Sequence, residues 1–180
     1  FEVAYVAAAP RSAGKRYREA VAGRWHMVAD IPSKVGDLVV EDGANVAAAL
    51  GKCSVIFSAV DMEKEAVRKL EMDYASKGLA VVSNNSAHRH TEDVPMLIPE
   101  INYEHCDVIP AQQKHYGWSK GLIVVKPNCS IQSYMMPIHA LMKKGYRVAR
   151  MIVTTLQGLS GAGYPGPSSL DMVDNIIPYI

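Results

Sequence analysis

Val55-Ile56-Phe57-Ser58-Ala59-Val60, a helical stretch from Glu63 to Lys77, Gly78, and Leu79-Ala80-Val81-Val82-Ser83 decide the fold. The first run is apolar except for Ser58, the pattern of a buried strand. From Glu63 to Lys77, Ala66, Val67, Leu70 and Tyr74 recur at i, i+3 and i+4 spacing, which predicts a helix with one apolar face, and Gly78 supplies its C-terminal cap. Leu79 to Ser83 reads as the next buried strand. A strand, a helix and a second strand in this order give a parallel pair with the helix on one face of the sheet. The same rhythm extends outward. Upstream lie a strand over Val3 to Ala8, a basic turn over Arg11 to Arg16, a weak short strand over Leu38 to Glu41 and an Ala-rich helix over Asn45 to Lys52. Downstream, Leu122 to Val125 is another strand. The fold class is α/β, with a mostly parallel sheet and helices on its faces.

The character changes at Pro127-Asn128-Cys129-Ser130. A helix is predicted from Ile131 to Lys144, with Ile131, Met135, Ile138 and Leu141 or Met142 on one face, and Gly145 stops it. A longer strand is expected over Arg147 to Leu156, followed by a glycine-bearing loop from Gly158 to Gly166. The domain boundary is accordingly placed after 127, giving segments 1–127 and 128–180.

Composition narrows the function. In 180 residues, 49% are apolar and 21% charged, an ordinary globular mixture. The net charge is +1, from 19 basic and 18 acidic residues with no basic block, which argues against a nucleic-acid or anionic-membrane surface. The apolar runs, such as Ala44 to Leu50 and Gly121 to Val125, are too short to span a bilayer. Cys53, Cys106 and Cys129 are odd in number, widely spaced and without a CxxC, so neither a disulfide framework nor a metal site is expected. The expectation is a reducing, cytoplasmic setting. The opening Phe1-Glu2-Val3-Ala4-Tyr5-Val6-Ala7 reads as a strand already under way, which points to a chain whose beginning is missing.

Two places carry chemistry. The strand Val3 to Ala8 ends in Ala9-Pro10-Arg11-Ser12-Ala13-Gly14-Lys15-Arg16, with two arginines, a lysine, a hydroxyl and no carboxylate. In a dinucleotide-binding fold the second strand ends beside the adenosine ribose, where such groups accept the 2′-phosphate of NADP. Taken alone, a solvated basic turn is the commoner reading of this octapeptide. If it is the second strand, a first strand with its glycine-rich turn belongs upstream. Cys129 follows a strand and a proline and opens a helix, whose unpaired N–H groups and dipole stabilise a thiolate. A thiolate there attacks an aldehyde, and loss of hydride from the adduct leaves a thioester. Asn128 beside it can donate to a developing oxyanion. For an arbitrary cysteine, a small buried apolar residue is the commoner role, and Cys53 and Cys106 are read that way.

Together these pieces resemble aspartate-semialdehyde dehydrogenase, in its archaeal and fungal-like branch. The matching stretches are Arg11-Ser12-Ala13-Gly14-Lys15, Phe57-Ser58-Ala59, Ser83 through Arg89, Asp93-Val94-Pro95, Ile98 through Asn102, Pro127-Asn128-Cys129-Ser130 and Gln157 through Gly166, the last leading into Leu170 through Ile180. The resemblance runs in order over nearly the whole chain. It implies a Rossmann-like NADP-binding domain over 1–127, lacking its first strand-helix unit, and the start of an α+β catalytic and dimerisation domain over 128–180. It also implies interconversion of aspartate semialdehyde and aspartyl phosphate, with NADPH and inorganic phosphate, in a homo-oligomer of amino-acid biosynthesis. Cys129 is then the thioester nucleophile, Asn128 and Gln157 position the substrate, and Arg89 binds its phosphate. Arg11, Ser12 and Lys15 take the 2′-phosphate, while Ser58, Ala59, Ser160, Gly161, Ala162 and Gly163 line the dinucleotide. No metal is implied.

Asn85 departs from the family, which usually has a small residue there, as do Val60-Asp61 and Gly158-Leu159. None of His26, His88, His90, His105, His115 and His139 lies in the motif of the family's general base. Two other readings stay open: a CoA-thioester reductase on the same scaffold, such as a malonyl-CoA reductase, and an inactive nucleotide-binding fragment.

Overall fold

The structure, a computed structural model, describes residues 1–163 and 166–178. It divides into two units, Phe1–Met136 and Pro137–Ile180.

The first unit holds two parallel sheets. β1 (Val6–Ala8) pairs with β2 (Val40–Asp42), Val6 facing Val40. β3 (Val55–Ser58), β4 (Ala80–Ser83) and β5 (Leu122–Val125) form the other, in the order β3-β4-β5. Register runs Val55 to Ala80 to Leu122, so Ser58, Ser83 and Val125 lie side by side at one end. In the doubly wound order 3-2-1-4-5-6, these are the pairings of positions 3-2 and 4-5-6. Among the described residues no strand joins β1 to β3.

α1 (Lys64–Ser76) crosses from β3 to β4 as its apolar spacing predicts, burying Val67, Tyr74 and Ala75. Gly78 follows with φ of 87°, the left-handed conformation that ends helices and that glycine adopts without strain. α1 lies so close to β5 that a Cβ on Gly121 would coincide with the carbonyl oxygen of Ala75. The core collects Val81, Ile123 and Val125 from the strands with Tyr74, Ala75 and Leu79 from the crossover, joined by Val46, Ala49 and Val94.

The outer edge of β5 is covered by main chain and one side chain. Leu97 N–H donates to Val125 O at 2.9 Å, and Val125 N–H to Pro95 O at 3.0 Å. The fully buried Gln112, on α2 (Ile109–Tyr116), accepts from Ile123 N–H at 2.8 Å and donates to Ile123 O at 3.0 Å. An amide thus stands in for a neighbouring strand and closes an edge that would otherwise be open to pairing. Tyr74 ties the two-stranded sheet to α1. Its hydroxyl donates to Gly43 O at 2.9 Å, and it accepts from Tyr5 at 3.1 Å.

Several elements differ from the sequence expectation. The first strand is only Val6–Ala8, and the second is displaced to Val40–Asp42. The Ala-rich segment forms a short 3₁₀ turn, Val46–Ala49, rather than a helix over 45–52. Cys106 lies in the 3₁₀ helix Tyr103–Val108, a segment for which no helix was expected. The α2 helix escaped notice because Pro110 occupies its first turn, where the missing N–H costs nothing, and its polar Gln112 is the buried residue.

α3 (Cys129–Lys143) begins in the first unit, and the division falls at its interior Pro137. Ile131, Met135 and Ile138 are half-buried as expected, while Leu141 and Met142 are exposed. The strand expected over 147–156 does not form. β-branched residues favour a strand only where a neighbour completes the ladder, and among the described residues the second unit contains no strand. No helix is long and apolar enough to cross a membrane among the described residues.

Candidate active site

The candidate residues of the first unit gather at the carboxyl ends of its parallel strands, the place where open α/β sheets bind ligands. β5 runs through Lys126 and Pro127 into Asn128 and Cys129. Asn128 Oδ1 accepts the Ser130 N–H at 2.9 Å, capping one of the donors that the first turn of a helix leaves unpaired. The Cys129 thiol, the first residue of α3, is exposed and lies 3.8 Å from the same oxygen. With Oδ1 committed to the cap, the Asn128 amide NH2 is the part that can reach a substrate.

Arg89 arrives from the loop after β4. Its Nε donates to Lys126 O at 3.2 Å, which anchors the guanidinium next to the β5 exit and three residues before Cys129. That anchor leaves the Nη groups as the forked donors for an anion. The other two cysteines sit in different surroundings. Cys53 and Cys106 are half-buried, and burial pushes the Cys53 thiol above its usual range against the opposing pull of Lys52.

Ser58 is buried at the end of β3, with Ala59 exposed beyond it. The carboxyl end of the other sheet carries the basic turn, whose Pro10–Ser12 forms a 3₁₀ turn. Gly14 N–H donates to Val40 O at 2.8 Å and Val40 N–H to Lys15 O at 2.8 Å, clamping the turn to β2. Its charges divide. Arg16 and Arg18 both reach Asp37 Oδ1, at 3.2 and 2.8 Å. Arg11 and Lys15 make no ion pair among the described residues. Ser12 lines a shallow cavity with Ala8, Tyr17, Arg24 and Val40. Residue type alone does not separate Arg11, Lys15 and Arg16; the resemblance selects the first two, and Asp37 engages the third.

This sheet-end geometry meets a matching family. Residues 1–109 fit the family model described as semialdehyde dehydrogenase, NAD binding domain. The chain belongs to the semialdehyde dehydrogenases. It is similar to the aspartate-semialdehyde dehydrogenase of Trichophyton rubrum, at 42% identity over 99% of this chain and 48% of that protein. With the enzyme of the same name from Archaeoglobus fulgidus it shares 40% over 100% of this chain and 50% of that one. It superimposes with a TM-score of 0.77 on the crystal structure of the Candida albicans aspartate semialdehyde dehydrogenase with NADP, at 33% identity, covering 100% of this chain and 49% of that one. The chain spans about half the length of the curated relatives it matches. Its parallel sheets are those of the Rossmann-like NAD(P)-binding domain of semialdehyde dehydrogenases.

The remaining candidates of this semialdehyde dehydrogenase lie in the second unit. Gln157 is half-buried ahead of the 3₁₀ turn Leu159–Ala162, which contains Ser160, Gly161 and Ala162, and Gly163 follows with φ of 81°. The Gln157 amide occupies the position a Cβ on Gly161 would take, so a side chain at 161 would make this flexible glutamine swing aside. Of the matching stretches, Tyr164, Pro165, Tyr179 and Ile180 lie outside the described residues. Among the described residues there is no cluster of His, Cys, Asp and Glu able to hold a metal ion.

One group at the site was not singled out from sequence. Glu71, on the inner face of α1, is 1% exposed and bonds Ser83 and Asn85 directly behind the strand ends. Its signal was a glutamate on the helix face that carries Val67 and Tyr74.

Proposed function

We propose that the full-length protein carrying this chain is an NADP-dependent oxidoreductase that interconverts aspartate semialdehyde and aspartyl phosphate through a thioester on Cys129. One observation carries the reading: an exposed cysteine opens a helix at the carboxyl end of a parallel sheet, with Asn128 and the anchored Arg89 at the same end. The names of the relatives and the NADP in the Candida albicans structure support it.

The cofactor fits the residues present. Arg11 and Lys15, uncommitted to any carboxylate among the described residues, and the Ser12 hydroxyl suit a 2′-phosphate; Ser58 and Ala59, and separately Ser160, Gly161, Ala162 and Gly163, are assigned to the dinucleotide. NADP, when bound, takes or gives the hydride. The Cys129 sulfur forms the bond to the aldehyde carbon, holds the acyl group once hydride has left, and departs when a phosphate oxygen attacks, yielding the acyl phosphate. The Asn128 amide donates to the oxyanion at each tetrahedral stage, and Gln157 holds the substrate without acting as a base. Arg89 binds the phosphate group by its fork, which is why phosphate rather than a CoA thiolate is assigned as the second nucleophile. Homo-oligomerisation belongs to the same proposal.

The test is the full-length protein with Cys129→Ser. Phosphate-dependent NADP reduction with aspartate semialdehyde should fall by about 10³-fold or more, the scale of losing a covalent nucleophile. A thiol-alkylating reagent should modify Cys129 ahead of Cys53 and Cys106 and abolish turnover in step. Turnover retained by the serine variant, or inactivation that tracks another cysteine, overturns the reading.

A further inference from the structure

Behind the ends of β3 and β4 lies a buried polar chain that the proposed chemistry does not use. A carboxyl group removed from water is costly unless hydrogen bonds replace its hydration, and an apolar side chain would fill the same space without that cost. Glu71, 1% exposed, is compensated at one of its two oxygens, and in a directional way. Its Oε1 accepts from Ser83 Oγ at 2.7 Å and from Asn85 Nδ2 at 3.0 Å. Asn85 Nδ2 also donates to Ser58 Oγ at 3.2 Å, and the Asn85 N–H donates to Ser83 Oγ at 3.1 Å.

The direction of these bonds is forced. Oε1 is an acceptor whether or not Oε2 carries a proton, so Asn85 must turn its NH2 toward Glu71 and its carbonyl oxygen away. The second NH2 hydrogen then goes to Ser58 Oγ, which makes that oxygen an acceptor on this side. The Ser58 proton is consequently directed away from Asn85. His88, 3% exposed, backs the other carboxyl oxygen, its Nε2 at 3.9 Å from Glu71 Oε2 and its Nδ1 at 3.1 Å from Thr91 Oγ1.

We propose that Glu71 is a positioning residue for the dinucleotide: acting through Asn85, it sets the Ser58 hydroxyl as a hydrogen-bond donor to an oxygen of the bound cofactor. The inference rests on the reading of Ser58 as part of the NADP site. Glu71 itself touches no ligand.

The test is a set of variants of the full-length protein, read by fluorescence titration of NADPH and by steady-state kinetics. Asn85→Ala and Ser58→Ala should each weaken NADPH binding by about 3- to 10-fold, the scale of one hydrogen bond, and raise its KM with kcat little changed. The double variant should bind no more weakly than either single one, because Asn85 acts only through the Ser58 hydroxyl. Glu71→Met should show the same loss, and Glu71→Gln, which keeps one acceptor oxygen, should recover most of it. Multiplying effects in the Asn85 and Ser58 pair overturn the proposal, as does a Glu71→Met protein that melts earlier yet binds NADPH normally. If Glu71→Met does not fold, the Asn85 and Ser58 cycle with Glu71→Gln still decides. Failure of the functional reading looks different: the unaltered protein then binds no NADPH at all.

Discussion

The two parallel sheets share one pairing geometry and differ in what covers them. In the three-stranded sheet, Val81, Ile123 and Val125 are at most 1% exposed, and both main-chain groups of Ile123 on the outer edge of β5 are taken by Gln112. In the two-stranded sheet only Val40 is buried among six strand residues, and Tyr74 supplies the main tie to α1. The chemistry proposed at the two ends differs as well. A nucleophile must be held at bonding distance from a carbon, and small displacements cost rate. A phosphate is attracted by charge over several ångströms, so the role proposed for Arg11 and Lys15 is compatible with their exposed positions on a clamped turn.

The sharpest way to break this contrast is to loosen the rigid sheet. Gly121→Ala places a methyl group against the Ala75 carbonyl, main chain that cannot swing aside. It should destabilise the full-length protein by about 2–3 kcal/mol, the usual cost of overpacking, read as a lowered thermal midpoint and faster hydrogen exchange at Leu122 to Val125. An unchanged midpoint would mean that α1 and β5 are not packed as tightly as described.

That glycine also shows how far the sequence could be read. Leu122 to Val125 was legible residue for residue and α1 to within one residue at each end, because burial on both faces leaves continuous apolar runs and a regular helical stripe. The close approach at Gly121 left no mark, since a glycine before a strand reads equally as a turn. β1 and β2 were placed with shifted bounds because three-residue strands carry little periodicity. The segment 147–156 forms no strand because Val148, Ile152, Val153 and Thr154 have strand propensity but no partner strand among the described residues. At the site, Cys129, Asn128 and Arg89 stood out by residue type and resemblance. Glu71 did not, because only the burial of the helix face distinguishes it from the exposed acids beside it.

A smaller effect sharpens the other half of the comparison. Replacing both Arg11 and Lys15 by Ala should reduce the preference for NADPH over NADH by roughly 10- to 100-fold, as expected for losing charge-assisted bonds to the 2′-phosphate. Binding of NADH and the thermal midpoint should hardly move, since neither cation makes an ion pair within the described chain. Arg16→Ala should leave the cofactor preference alone, because Asp37 holds that guanidinium. Equal losses with the two cofactors would move the 2′-phosphate away from this turn.

The smallest expected effect concerns His88, which links the rigid sheet to pH. Burial pushes its imidazole below the ordinary value of 6.5, against the opposing attraction of Glu71. The unfolded chain therefore takes up a proton at a pH where the folded one does not. Stability from this group is fully present above the ordinary histidine range and is lost as pH falls through 6.5 toward the lower folded value. Urea denaturation of the full-length protein across that interval should show a midpoint falling with acidity, and His88→Gln should flatten that part of the curve. A slope that survives His88→Gln shows that this imidazole does not carry the proton. A slope that disappears shows that the imidazole behind the strand ends stays neutral while the sheet is folded.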